Sequence, residues 1–171
     1  SLRTPFVQAG FSFGDGETAG LNIYAKHVGS DGKREFQKFS NTNVKLSGYF
    51  RSGNNLEWNA GIGMKQERMY KYGYEPQTLS FSNDSLKQNF QTISARVGFH
   101  NINKTEFGLT YSPEVKIDVF SDDFKNSESN TVVNLPLQKT LGKEWVINLG
   151  VTFDLTRLSP KNKTALNNTM Y

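Results

Sequence analysis

The chain of 171 residues has no cysteine. That excludes a disulfide framework and any thiolate metal site. Two histidines are too few to suggest a histidine-based centre, and no metal or cofactor is expected. No run approaches the roughly 18 consecutive apolar residues of a transmembrane helix, and no segment carries the 3.6-residue periodicity of an amphipathic helix. A dominant charge is lacking too. The net charge is +4, with acids and bases interspersed, so nothing points to nucleic acid. Hydrophobic residues make up only 36% of the chain, and the mean hydropathy is −0.58. A spanning β-strand needs only about 9–11 alternating residues and leaves hydropathy low, so a membrane barrel is not excluded. The chain begins at Ser1 without an initiator Met or a signal peptide, which reads as a mature protein or a piece of a longer one.

Aromatic residues (13%) and glycine (15 residues) are plentiful, and apolar residues recur at period two. In "WVINLGVTFDL" (145–155) Trp145, Ile147, Leu149, Val151, Phe153 and Leu155 share one face, while Val146, Asn148, Gly150, Thr152 and Asp154 share the other. Such alternation marks a strand whose faces meet different surroundings. The same reading predicts strands at 6–14, 20–28, 42–50, 56–70, 90–100, 105–120 and 131–141. The whole chain, 1–171, reads as a single β-barrel domain or barrel segment. Short polar turns at 15–18, 52–55, 101–104 and 142–144 alternate with long charged connections at 29–41, 71–89 and 121–130. Transmembrane barrels show this asymmetry.

The polar strand face carries Lys45, Glu57, Lys65, Glu67, Arg96, Glu106, Glu114, Lys116, Asp118 and Asp154. Mixed charges among Gly, Ser and Thr suit a polar lumen, where Glu106, Glu114 and Asp118 would form an ion-pair ladder with Arg96, Lys65 and Lys45. They equally suit the outside of a soluble barrel. Aromatic placement favours the membrane: Phe13, Phe50, Trp58, Phe99, Phe107 and Trp145 have apolar-face parity and lie near short turns, as an interfacial girdle does. The expected fold is all-β, an antiparallel up-and-down transmembrane barrel with about eight strands in this chain. The alternative is a soluble lipocalin-like barrel that binds a hydrophobic small molecule.

The order of connections adds a constraint. If short turns face the periplasm, the first strand starts outside the cell and the eighth ends outside. That pattern suits an internal segment of a larger barrel.

The runs "REFQKFSNTNVKLSGYF" and "MYKYGYEP", and the strand-plus-loop "TEFGLTYSPEVKIDVFSDDFKNSESN", resemble outer-membrane β-barrel proteins of Bacteroidetes, many of them generically labelled TonB-dependent-receptor-like or porin-like. The resemblance spans most of 20–156. It implies placement in the outer membrane of a Gram-negative bacterium and longer parent proteins. No TonB box or plug domain is matched, and no functional residue carries over.

Catalysis is not expected. His100 lies near a short turn and His27 near a long loop, and neither has a motif partner. "GFSFGDGETAG" precedes a strand rather than a helix, so it reads as a hairpin and not a phosphate cradle. Tyr70, Tyr72 and Tyr74 form a candidate ligand platform, or simply pack over the barrel mouth. The expected role is pore, transport or receptor. The expected partners are a lipid bilayer or lipopolysaccharide, a small solute and other outer-membrane proteins.

Overall fold

Alternating residues with few prolines can satisfy their backbone groups only by pairing laterally, and they do so from one end of the chain to the other. The computed structural model describes residues 4–32, 37–53, 55–71, 81–142 and 145–160. They form one antiparallel sheet of nine strands: β1 (Phe6–Gly14), β2 (Ala19–Ser30), β3 (Phe39–Ser52), β4 (Leu56–Tyr70), β5 (Lys87–Asn101), β6 (Leu109–Tyr111), β7 (Glu114–Asp122), β8 (Ser127–Leu141) and β9 (Trp145–Ser159). A single helical turn, α1 (Asn83–Leu86), precedes β5, where the sequence predicts no helix. Each strand pairs with its neighbour in the chain, except that β6 and β7 lie end to end between β5 and β8. The result is an up-and-down meander of eight staves.

The predicted sixth strand is shorter than expected and divided. Residues 105–108 form a turn, closed by the Gly108 N–H donating to the Thr105 carbonyl at 2.8 Å. Glu106 and Phe107 therefore lie off the strand, because Gly108 takes a positive φ of 70° that breaks the extended path. The division at residues 112–113 follows from proline. Pro113 accepts from the Phe99 N–H at 3.1 Å and Pro136 accepts from the Ser112 N–H at 3.3 Å. Neither proline can return the bond.

Asn101 repairs the ladder beyond that point. Its Oδ1 accepts the Tyr111 N–H at 2.8 Å and its Nδ2 donates to the Leu109 carbonyl at 2.9 Å. A side chain thus stands in for backbone pairing, and it is buried, at 3% exposure. The connection between β7 and β8 is also tighter than the predicted 121–130 loop. It is a four-residue turn, 123–126, held by Asp122 accepting from the Phe124 and Asn126 N–H groups at 2.9 Å each. Lys125 takes the left-handed conformation there.

Register sorts the side chains into two faces. One row runs Phe11, Ile23, Leu46, Ile62, Ala95, Ile117, with Leu155 at its far end on β9. The row beside it on the opposite face runs Ser12, Asn22, Ser47, Gly61, Arg96, Lys116. Among the described residues nothing covers the apolar face. Among the described residues, Leu86 is the one buried hydrophobic side chain, while Phe13 is 59% exposed, Phe153 54% and Trp145 73%. The sheet is also open: among the described residues, β1 pairs only with β2 and β9 only with β8. The barrel expected from the sequence is therefore not closed by the described residues. Among the described residues no helix is long and apolar enough to cross a membrane, which says nothing of crossing by strands.

Candidate functional site

The chemistry-bearing residues gather on the polar face. Register puts Lys45, Glu57, Lys65, Glu67, Arg96, Glu114, Lys116, Asp118 and Asp154 there together. Glu106 is not among them, since it sits in the 105–108 turn. Two hollows open on this face. The first, about 450 Å³, lies over the centre of β3, β4 and β5, between Lys45, Lys65, Arg96 and Lys116. The second, about 520 Å³, lies nearer the short turns, between Asn59, Arg96, His100, Glu114, Asn134 and Thr152. Arg96 borders both.

The predicted ion-pair ladder is replaced by pairs of another pattern. Lys65 bonds Glu67 at 2.9 Å and Lys116 bonds Asp118 at 2.7 Å, each two residues along the same strand. Ser94 Oγ also donates to Asp118, at 2.5 Å. The longer-reaching pair is Arg51 to Glu57 at 3.1 Å. Asp154 accepts from Asn130 Nδ2 at 2.5 Å. Lys45 and Arg96, assigned by the sequence to the ladder, make no ion pair or side-chain hydrogen bond among the described residues. Same-strand partners win because no carboxylate stands opposite either lysine: Lys65 faces Asn43 and Thr92, and Lys116 faces Arg96 and Val132, while a side chain two residues along points the same way.

Glycine shapes this face. The Arg96 side chain leans from β5 across Gly61, where a Cβ would stand 3.2 Å from Nε. Lys45 leans from β3 across Gly63, where a Cβ would stand 3.6 Å from its Cγ. The two cations thus approach the same strand, β4, from opposite sides.

His100 and Ser112 border the same hollow, a juxtaposition that invites comparison with a nucleophile and its base. Both ring nitrogens instead turn to β4: Nδ1 lies 3.3 Å from Asn59 Nδ2, and Nε2 lies 3.9 Å from Glu57 Oε1. His27 bonds Thr42 through Nδ1 at 2.8 Å. No group of three or more His, Asp or Glu side chains suited to a metal is present among the described residues.

The aromatic residues divide by position. Phe50, Trp58 and Phe99 form a continuous ladder on the apolar face, with centroids 6.2 Å apart for the first pair and 4.9 Å for the second. Tyr111 extends it at 6.1 Å from Phe99, a member that the sequence reading left out because it assigned Tyr111 no role at the interface. Phe13 lies one row nearer the sheet centre, in register with Leu21, and Trp145 pairs with Leu141 at the short-turn end. Phe107 lies in the turn, where its carbonyl accepts from Lys139 Nζ. A second pair was not predicted. Phe90 and Phe120 stack at 5.9 Å on the polar face, toward the long connections. The signal was present, since Phe120 continues the parity of Lys116 and Asp118. Tyr72 and Tyr74 lie outside the described residues, and Tyr70 ends β4.

Compared with models of known families, with curated proteins and with solved structures, the chain finds no match.

Proposed function

We propose that this chain forms part of an outer-membrane β-barrel of a Gram-negative bacterium, with its apolar face on lipid and its polar face lining a lumen that passes a small polar solute. The observation that carries this reading is the sidedness of the sheet. An apolar face spanning eight staves lies uncovered, while the hollows open on the polar side. In water, an apolar face of this extent demands a partner layer. In a bilayer, lipid supplies it. Strands of 9–15 residues, apart from the short β6, match the 9–11 residues that cross the hydrocarbon core with some to spare at the rims. The Phe50–Trp58–Phe99 ladder fits an interfacial girdle. The unpaired edges of β1 and β9 fit completion by further strands, since an open edge is not tolerated in lipid. A lipocalin-like barrel would instead close its apolar face around a ligand, and here the hollows are on the opposite face.

The chain has no native cysteine, so single cysteines test the reading directly. In reconstituted membranes, Leu149→Cys should resist a water-soluble maleimide and its attached fluorophore should be quenched by brominated lipid tails. Asn148→Cys should behave conversely. Rapid aqueous labelling of Leu149→Cys in a detergent-free monomer would sink the proposal. Conductance in planar bilayers then separates an open pore from a plugged one.

A further inference from the structure

We infer that the hollow over Gly61 and Gly63 is a binding site for a small multiply charged oxyanion. This deepens the proposed pore reading by naming its solute class. Four cationic side chains line the hollow, and none of its lining residues is a carboxylate. Two of those cations are already compensated at the rim, Lys65 by Glu67 and Lys116 by Asp118. Lys45 and Arg96 make no ion pair or side-chain hydrogen bond with any described residue, although Glu114 borders the second hollow beside Arg96. The two cations approach adjacent polar-face glycines of β4 from opposite sides, so both border one hollow whose floor offers no side chain at 61 and 63. Gly61 eases this approach: a Cβ there would stand 3.2 Å from Arg96 Nε, tighter than usual, whereas one at Gly63 would meet Lys45 Cγ at an ordinary 3.6 Å.

Two like charges held toward one volume repel each other unless an anion lies between them. A tetrahedral oxyanion meets both, with a guanidinium edge that can donate two parallel bonds and an ammonium that acts as a point charge. Thr92 and Ser94 line the same hollow. The Thr92 hydroxyl is placed to contribute a neutral donor, whereas Ser94 is already turned to Asp118. A concave surface with unbalanced positive charge also concentrates anions before they bind.

The test uses inorganic phosphate, titrated into the full chain in a neutral detergent and followed by the NMR signal of the Arg96 Nε–H. A saturable shift is expected with phosphate and not with chloride at equal ionic strength. Lys45→Gln and Arg96→Gln should each weaken binding by about tenfold or more. Lys45→Arg should retain it, and the backbone amide spectrum checks the fold of every variant. The inference is overturned if phosphate gives no saturable response, or if the glutamine variants, folded by that criterion, bind as the parent does. Should a glutamine variant fail to fold, Gly61→Val displaces the guanidinium without removing it, and undiminished binding in that variant overturns the site equally. Lipid exposure of Leu149→Cys is measured separately. A phosphate site in a protein without lipid contact would defeat the barrel and keep the site, and the reverse result would do the opposite.

Discussion

The ring of Phe50 stacks on the indole of Trp58, with centroids 6.2 Å apart and planes 8° from parallel. On its other side Trp58 meets Phe99 at 4.9 Å, so one indole joins three strands. Cross-strand aromatic pairs contribute about 0.5–1.5 kcal/mol beyond area burial. Trp58→Ala removes two such pairs and should cost on the order of 1–3 kcal/mol. Urea unfolding of the protein refolded into lipid vesicles measures this. A double-mutant cycle with Phe99→Leu should show coupling, because the two rings act on each other.

Asn101 is the one buried polar side chain among the described residues, and its role is to replace a missing stretch of ladder. Asn101→Ala leaves the Tyr111 N–H without its acceptor, while the Leu109 carbonyl keeps only the Thr105 N–H. Each buried group left unsatisfied costs about 1–3 kcal/mol. Hydrogen exchange at the Tyr111 amide should accelerate by orders of magnitude while the amides of β3 stay protected. Asn101→Asp keeps the acceptor but turns a carboxylate toward the Leu109 and Asn103 carbonyls, so it should not restore stability.

How much of this could be read from the sequence depends on the kind of residue. Period-two alternation located every long stave, because a strand in a sheet with unlike faces has only one parity available. The interruption at 112–113 was not legible from either proline alone. It arises because Pro113 and Pro136 fall on neighbouring staves, so two missing donors meet in one region. The 123–126 turn was hidden by the charge of its flanks, although Asp122 is placed to bond the N–H groups that follow it, the usual aspartate turn chemistry. The partners of the charged residues were the least legible. A list of polar-face charges does not reveal that Lys65 and Lys116 pair along their own strands, while Lys45 and Arg96 pair with none of the described residues.

Asp15 gives a pH signature outside the strands. Its Oδ1 accepts the N–H groups of Ala19, Thr18 and Glu17, at 3.1, 2.7 and 2.9 Å. These bonds, with that to Ala19 foremost, hold its carboxyl well below the ordinary value of 3.8. Because the folded pKa is depressed, the stabilisation is full above the unfolded value. It declines as pH falls below about 4 and is lost once pH passes the folded value. The amide signals of Glu17, Thr18 and Ala19 should therefore stay constant down to about pH 4 and move only in stronger acid. Asp15→Asn should abolish that acid transition at these amides. A titration of the three amides near the ordinary carboxylate value would contradict the assignment.

Ile62 and Val132 are both β-branched and both mid-strand, yet register places them on opposite faces. Ile62 pairs with Leu46 and Ala95 on the apolar side, while Val132 lies between Lys116 and Asp154 on the polar side. Composition would treat the two positions alike. The proposed barrel treats them differently, since a lysine on the lipid face near the midplane costs about 2–4 kcal/mol and a lysine in a wet lumen costs little. Ile62→Lys should therefore lower stability in vesicles by about that amount, and the penalty should shrink in thinner bilayers, where the ammonium reaches the interface more easily. Val132→Lys should refold with nearly parental stability, helped by the Asp154 carboxylate beside it. Equal tolerance of both substitutions would mean that the apolar face does not contact lipid. Equal loss would mean that the polar face is packed and dry, with no lumen for a solute.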